Sequence, residues 1–416
     1  MAERNLDFDT VIDRRGTGSL KYDCAAERGK PEGILPLWVA DMDFRTPSCV
    51  QDALQEAVAH GIWGYSEPGE GYFAALEGWM KKRHGWEIRR EWTVRTPGVV
   101  FALALAVRAY TEPGDAVLIQ KPVYYPFSEV IRDNGRRIVS SDLLYDREMR
   151  TYRMDLSDLE TKIREEKIRL FFLCNPHNPV GRVWDPEELR KAGEICRRYG
   201  VTVVSDEIHA DFVYEKKHTV FSLAGEGFGD FSVICTAPSK TFNLAGLQIS
   251  NIIIRDPELR KRFRQQLDAA GYSQANTFGL RACEAAYRGG EEWLEALLGY
   301  LRGNRDFLEE YLKENMPRIR MVRVEGTYLA WLDLRDLGFS PREREERIVH
   351  GAGLWLDRGE VFGPTGEGFE RINFACPRSV LREALQKLKV GMGDGSWVSG
   401  TVPDPQEPSP IPKNRP

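Results

Sequence analysis

Several short stretches of this 416-residue chain carry side chains able to do chemistry together. Lys240 lies in CTAPSKTFNLAG, just after the apolar run FSVIC and between Ser239 and Thr241. Most lysines are solvated surface residues. One at the carboxyl end of a strand reaches into a cleft, where desolvation and nearby positive charge lower its pKa and free its amine to form an imine. Asp206 closes a second run of this kind, VTVVSDEIH. A carboxylate there either caps a following helix or keeps a pyridine-type ring nitrogen protonated, which makes the ring an electron sink. His209 stands three residues on and turns toward the same ligand if the stretch is helical; its other reading is a satisfied structural histidine.

Three further stretches can bind rather than react. Asn175-Pro176-His177-Asn178-Pro179-Val180-Gly181 follows IRLFFLC and suits an ordinary turn, yet a turn at a catalytic rim also fixes the Asn178 amide as a donor to a ring oxygen. Thr96-Pro97-Gly98-Val99-Val100 precedes a helix expected to begin near Phe101. Free backbone donors and the dipole at a helix start make a phosphate site, and glycine permits close approach. Arg371, in GFERINFACPR, offers a rigid fork of donors suited to a substrate carboxylate, with a surface ion pair as the plain alternative. The chain has no Gly-x-x-x-x-Gly-Lys loop and no Gly-x-Gly-x-x-Gly after its first strand, which removes the usual support for nucleoside triphosphate or dinucleotide binding.

The elements that must position these residues are readable from periodicity. CVQDALQEAVAHGI and GYFAALEGWMKKRHGW read as helices, and Pro113-Gly114 joins a buried helix to a short apolar strand. IRLFFLCNP reads as a strand, PEELRKAGEICRRYG as a helix closed by Gly200, and VTVVSDEI and FSVIC as strands. Continuous apolar strands separated by helices predict an α/β fold with a mostly parallel sheet covered on both faces, and ligands at the carboxyl ends of its strands. After a charged helical region at about residues 291–315, TYLAWLDL and FERINFACP read as strands, PREREERIVHGAG as a polar-faced helix and SVLREALQKLK as the last helix. The expected organisation is an N-terminal arm over 1–48 that completes part of a small domain, a large domain over 49–287, a small α+β domain over 288–391 and an extended or disordered tail over 392–416.

Composition narrows the setting. Lysine and arginine total 58 against 63 acidic residues, a net charge of −5, so attraction to nucleic acid or to an anionic membrane is not expected. The seven cysteines are scattered without a Cys-x-x-Cys pair, which argues against a disulfide scaffold or a structural zinc site; no metal is expected, and a reducing compartment, the cytoplasm, fits. Residues 1–20 are too polar for a signal peptide, and no apolar stretch approaches the length of a membrane span.

Taken in order over about residues 35–380, LPLWVADMDFRTP, WGYSEPGEGY, TPGVVFAL, KPVYYPF, NPHNPVGRVW, VVSDEIHADFVY, SKTFNLAGLQ, GTYLAWLDL and RINFACPR make a pattern. It resembles the fold-type I enzymes of the aminotransferase class I/II superfamily, and within it the MalY/PatB-type cystathionine β-lyase or C-S lyase subgroup. The resemblance implies pyridoxal 5′-phosphate as cofactor, an amino acid as substrate and a homodimer with shared sites. It makes Lys240 the Schiff-base lysine and proton shuttle, Asp206 the partner of the pyridinium nitrogen and Asn178 a donor to the 3′ oxygen, near which His209 also stands. Tyr124 corresponds to the ring that stacks on the cofactor, Val99 and Val100 to the backbone phosphate cup, Ser239 to an added hydroxyl and Arg371 to the α-carboxylate clamp. Tyr65 corresponds to a tyrosine that reaches the site of the neighbouring subunit.

Two departures from the wider aminotransferase pattern bear on the phosphate. Gln248 stands where many aminotransferases carry an arginine, and Ala237 where they often carry a hydroxyl. Gln248, and His209 in place of a tyrosine, match the C-S lyase subgroup. The implied reaction is β-elimination from cystathionine or a related cysteine S-conjugate, giving a thiol, pyruvate and ammonia. Transamination, which uses the same lysine, aspartate and arginine, is the rival, and a non-enzyme regulator or binding module is a third reading. Nothing in the sequence specifies the substituent on sulfur.

Overall fold

A computed structural model describes residues 6–393, so nearly all of the expected 392–416 tail lies outside the described residues. Its centre is a seven-stranded sheet. From edge to edge the strands are Thr93–Thr96, Ser250–Ile253, Ser232–Thr236, Thr202–Asp206, Leu170–Cys174, Ala116–Ile119 and Arg137–Ser140. All run parallel except Ser250–Ile253, which is antiparallel to both neighbours. Successive residues of a strand point to opposite faces, and here both faces are covered. Phe171, Leu173, Val203 and Ile234 enter one hydrophobic cluster, while Phe172, Cys174, Val204 and Val233 enter the other.

The expected elements form with small shifts. The helix Pro186–Tyr199 starts on a proline, where the missing N–H costs nothing, and Glu188 accepts the Asp185 N–H at 3.2 Å. It stops at Gly200, whose φ of 68° is left-handed, and the Val201 N–H returns to the Cys196 carbonyl at 2.9 Å. The helix expected near Phe101 begins at Val99, two residues earlier, and the charged helix spans Glu291–Asn315.

A second sheet of four antiparallel strands runs Arg320–Met321, Leu329–Asp333, Phe369–Asn373 and Asp357–Arg358. The expected helix after Ser340 is helical only over Pro341–Glu346 and then widens to a π turn at Arg347–Gly351. It is less polar-faced than its sequence reads, because Arg344 is buried in ion pairs with Glu370 and Glu360. A hairpin of Leu144–Asp146 and Thr151–Arg153 has no apolar alternation to announce it and was not expected. It supplies Tyr152, whose hydroxyl accepts the Trp331 Nε1–H at 3.2 Å.

The N-terminal arm contributes to the core as well as covering it. Phe8 is buried against Phe44 and Tyr300 at ring separations of 5.3 and 5.5 Å, and Lys21 is buried with its amine 2.8 Å from Asp43. Leu35–Pro36 pairs in parallel with Leu354–Trp355, and the Trp38 ring stacks on Trp355 at 4.3 Å. From there residues 38–44 run as a strap between the two sheets. Asn373 donates to the carbonyls of Val39 and Asp41, both at 2.7 Å. On the other side Asn243, in the left-handed region at φ 58°, donates to Met42 and Phe44 and accepts the Met42 N–H at 3.0 Å.

Trp331 is fully buried, stacked on Phe369 at 5.2 Å and bonded to the hairpin. Trp331→Ala should lower the free energy of urea unfolding by about 3–5 kcal/mol, the range for truncating a buried aromatic residue. A loss below about 1 kcal/mol would show that this stack is not part of the cooperative core.

Candidate active site

Three adjacent parallel strands end side by side, with Cys174 in register with Asp206 and Asp206 in register with Cys235. The residues that follow them are the expected site. Asn178 sits in a turn closed by the Gly181 N–H on the His177 carbonyl at 2.8 Å, and its own carbonyl accepts the Tyr124 N–H at 3.1 Å. That bond brings the expected ring-stacking tyrosine beside the expected amide donor. His177 bonds the Pro122 carbonyl through Nε2 at 2.9 Å, and burial pushes its pKa down to about 4, so it is a neutral structural group.

Lys240 occupies a one-turn helix, Pro238–Thr241, directly after the strand Ser232–Thr236. Its Nζ donates to the Ala40 carbonyl, which also accepts the Tyr328 hydroxyl at 2.9 Å. Burial and the Arg371 charge lower its pKa to about 8, against the opposing pull of Asp41 and Asp206. Desolvation drives Asp206 the other way, up to about 7. One carboxylate oxygen accepts the Ile208 N–H at 3.1 Å, and Asp206 forms no ion pair among the described residues. A buried acid so placed gains most from a ligand that brings it a positive N–H. Asp206 is followed by tight turns, not by the helix it might have capped.

His209 packs edge-on to Tyr328 at 5.6 Å, and its Nδ1 is buried without a partner. Burial holds its pKa well below the ordinary value, and the Lys240 and Arg371 charges push the same way, so the ring is neutral. Arg371 is 3% exposed. Its Nη1 donates to the Asn178 amide oxygen at 2.9 Å, and its Nη2 to the Trp38 carbonyl at 2.7 Å and to Asp357. Its Nε is buried and unpartnered, a donor left for a ligand. Val99 and Val100 open a helix whose first N–H groups have no side-chain cap, and the space before Gly98 is open. Gly98 itself is extended, at φ −178°.

The expected residues therefore divide. Lys240, Asp206, His209, Asn178, Tyr124 and Arg371 are linked by direct contacts or mutual electrostatic influence. Ser239 lies on the same turn as Lys240. Tyr65 is not drawn in: it is 96% exposed, on a stretch without regular structure. Gln248 is exposed and left-handed at φ 48°. Sequence reasoning missed Asp357, Tyr328 and the carbonyls of Trp38 and Ala40. Asp357 had the same signal as Asp206, an acid closing the apolar run LWL; the carbonyls had none.

A buried lysine of lowered pKa, a desolvated acid and a buried arginine that feel one another's charge, with an uncapped helix start, on a sheet of this order, are what a lysine-anchored cofactor enzyme on an aminotransferase scaffold requires. The chain belongs to the aminotransferase class I and II family, whose sequence model matches residues 32–388. It is 44% identical over 388 residues to the cystathionine beta-lyase PatB of Bacillus subtilis (strain 168), covering 93% of this chain and all of that one. It is similar to cystalysin from Treponema denticola, whose crystal structure contains pyridoxal 5′-phosphate, with a TM-score of 0.89, 39% identity and coverage of 92% and 98% of the two chains. It is also similar to the PLP-bound C-S lyase from Staphylococcus hominis, with a TM-score of 0.88, 34% identity and coverage of 93% and 98%.

The raised Asp206 carboxyl has a testable sign. From the ordinary 3.8 to about 7 the folded, ligand-free protein holds a proton that the unfolded chain has lost. The contribution to stability is thus complete below the unfolded value and lost as pH rises to about 7. The melting temperature of the ligand-free protein relative to Asp206→Asn should fall across that window and level off above it. A difference that does not change with pH would contradict the burial assigned to this group.

Proposed function

We propose that this protein is a pyridoxal 5′-phosphate-dependent carbon–sulfur β-lyase, cleaving L-cystathionine or related cysteine S-conjugates to a thiol, pyruvate and ammonia. The single observation that carries cleavage over other chemistry of this scaffold is the 44% identity to a cystathionine beta-lyase along 93% of the chain. The residues fit the cofactor. The carboxylate of Asp206 makes no ion pair among the described residues, Nδ1 of His209 lacks a partner, and the Asn178 oxygen is taken by Arg371, which leaves its NH2 for a ring oxygen. Tyr124 would face the ring, and Val99, Val100 and Ser239 would hold the phosphate, on the N–H groups of the uncapped helix and the hydroxyl beside Lys240.

When bound, pyridoxal phosphate supplies an electron sink for the pair left behind as a proton leaves the substrate Cα. The chain's residues do the rest. Lys240 anchors the cofactor and, with its pKa lowered to about 8, presents a fraction of unprotonated amine at Nζ able to take the Cα proton. Asp206 holds the ring nitrogen's proton. Arg371, fixed by Asn178, Trp38 and Asp357, orients the substrate carboxylate through the donors it has left. The thiolate then departs from Cβ.

The same reading places the working enzyme in a homodimer in the cytoplasm. Tyr65, with Ile62 and Trp63 also exposed beside it, would reach the cofactor phosphate and substrate of the second subunit, as its exposure supports. The seven cysteines are all free, consistent with a reducing compartment. No helix among the described residues is long and apolar enough to cross a membrane. We further assign a large domain to 49–287 and a small one to 288–391 completed by 1–48, supported by the two sheets and by the pairing of Leu35–Pro36 with Leu354–Trp355.

Purified protein should release thiol and pyruvate in equal amounts from cystathionine with no keto acid added. An absolute need for a keto-acid acceptor, without thiol, would instead mean an aminotransferase. Lys240→Ala should abolish the visible band of the bound cofactor and turnover together; a band that survives the change would overturn the anchoring role. Sedimentation should give twice the 47.5 kDa chain mass, and Tyr65→Ala should weaken cofactor retention about ten-fold without dissociating the dimer. A monomer at assay concentration that is fully active would refute the shared site.

A further inference from the structure

Behind the turn that carries Lys240 lies a buried carboxylate that the mechanism does not use. Asp211 accepts the Thr241 hydroxyl at 2.6 Å through Oδ2. Its Oδ1 lies 3.0 Å from Arg83 Nε and 3.1 Å from His84 Nε2, both at the end of the helix Glu70–His84. Thr241 is 1% exposed and Asp211 is 6% exposed. These partners keep the Asp211 carboxyl below its ordinary pKa despite its burial, so it is a fixed negative charge.

Its position in the chain gives the contact its meaning. Asp211 ends the turns that begin at Asp206 and hold His209, with the Ala210 N–H on Glu207 and the Phe212 N–H on His209, both at 2.9 Å. Thr241 is the residue after Lys240. One hydrogen bond therefore joins the segment bearing two cofactor-facing groups to the segment bearing the third. A buried ion pair is a weak stabiliser compared with apolar packing, and its best use is to fix one arrangement among several. Here the arrangement fixed is the spacing between the lysine and the acid with which it must share a ligand.

We propose that Asp211 and Thr241 are positioning residues, forming a strut braced by Arg83 and His84 that sets Lys240 relative to Asp206 and His209. This rests on the reading of Lys240 as the cofactor anchor. Displacement of a reacting group by about 1 Å costs up to about a hundred-fold in rate, whereas substrate affinity depends on Arg371, which the strut does not touch.

Asp211→Asn removes the negative charge facing Arg83 and His84 and can fail to fold, so the informative variants are Thr241→Val, which keeps shape and both of those contacts, and Thr241→Ser, which keeps the hydroxyl. In the holoenzyme, Thr241→Val should lower kcat for thiol release about ten-fold with KM within about two-fold, and Thr241→Ser should restore it. The visible band of the bound cofactor should persist in Thr241→Val, but the pH at which it titrates should move by about half a unit or more and return in Thr241→Ser. Wild-type kcat and band titration in Thr241→Val would overturn the strut, as would a lower melting temperature of the cofactor-free protein with kcat and titration unchanged, since that is packing alone. Lys240→Ala run in parallel separates the two levels: a band surviving there removes the anchor and the strut with it, while a band lost there and an unaltered Thr241→Val remove the strut only.

Discussion

The structure turns on keeping three charged groups dry in one place without letting them neutralise one another. Lys240, Asp206 and Arg371 come from strands or turns 34 to 165 residues apart in sequence, as their numbers show, yet each feels the charge of another. Direct pairing of Lys240 with Asp206 would leave neither available. Instead the lysine amine rests on a backbone carbonyl, the acid on a backbone N–H and the arginine on an amide, a carbonyl and a second acid. Neutral dipoles hold the two reactive groups, and their displaced pKa values measure the solvation they still lack.

That solution demands a rigid supply of carbonyls, and the strap at residues 38–44 provides it. Trp38 offers its carbonyl to Arg371 and Ala40 offers its own to Lys240, so one short segment touches both the expected substrate clamp and the expected anchor. Asn373 grips the strap from the four-stranded sheet and Asn243 from the turn that follows Lys240, and Arg14 and Lys21 of the arm pair with Asp41 and Asp43. Residues remote from the site in sequence thereby set the placement of its acceptors.

Much of this was legible in the sequence because it rests on side chains with strong signatures. Continuous apolar runs ending in Cys174, Asp206 and Thr236 gave away the strand ends, and strand ends are where polar residues of a parallel sheet converge. Three kinds of feature were not legible. Backbone acceptors such as the Ala40 carbonyl have no residue preference. The hairpin carrying Tyr152 and the arm carrying Phe8 are polar segments that each place one aromatic ring in the core, which no periodicity records. Asp357 closes an apolar run as Asp206 does, but its pairing is invisible until the register sets it opposite Arg371.

The hold on Arg371 also has a thermodynamic side. A free arginine side chain carries about 2 kcal/mol of rotamer entropy, which an exposed one surrenders only when it captures its ligand. Here Asn178, Trp38 and Asp357 immobilise the guanidinium during folding. The ordering cost is thus charged to the stability of the protein, and in the proposed clamp role an incoming carboxylate would meet a receptor that is already frozen. On that role selectivity would be steric and directional: a carboxylate off the line of the buried Nε would find a guanidinium with no freedom to follow it.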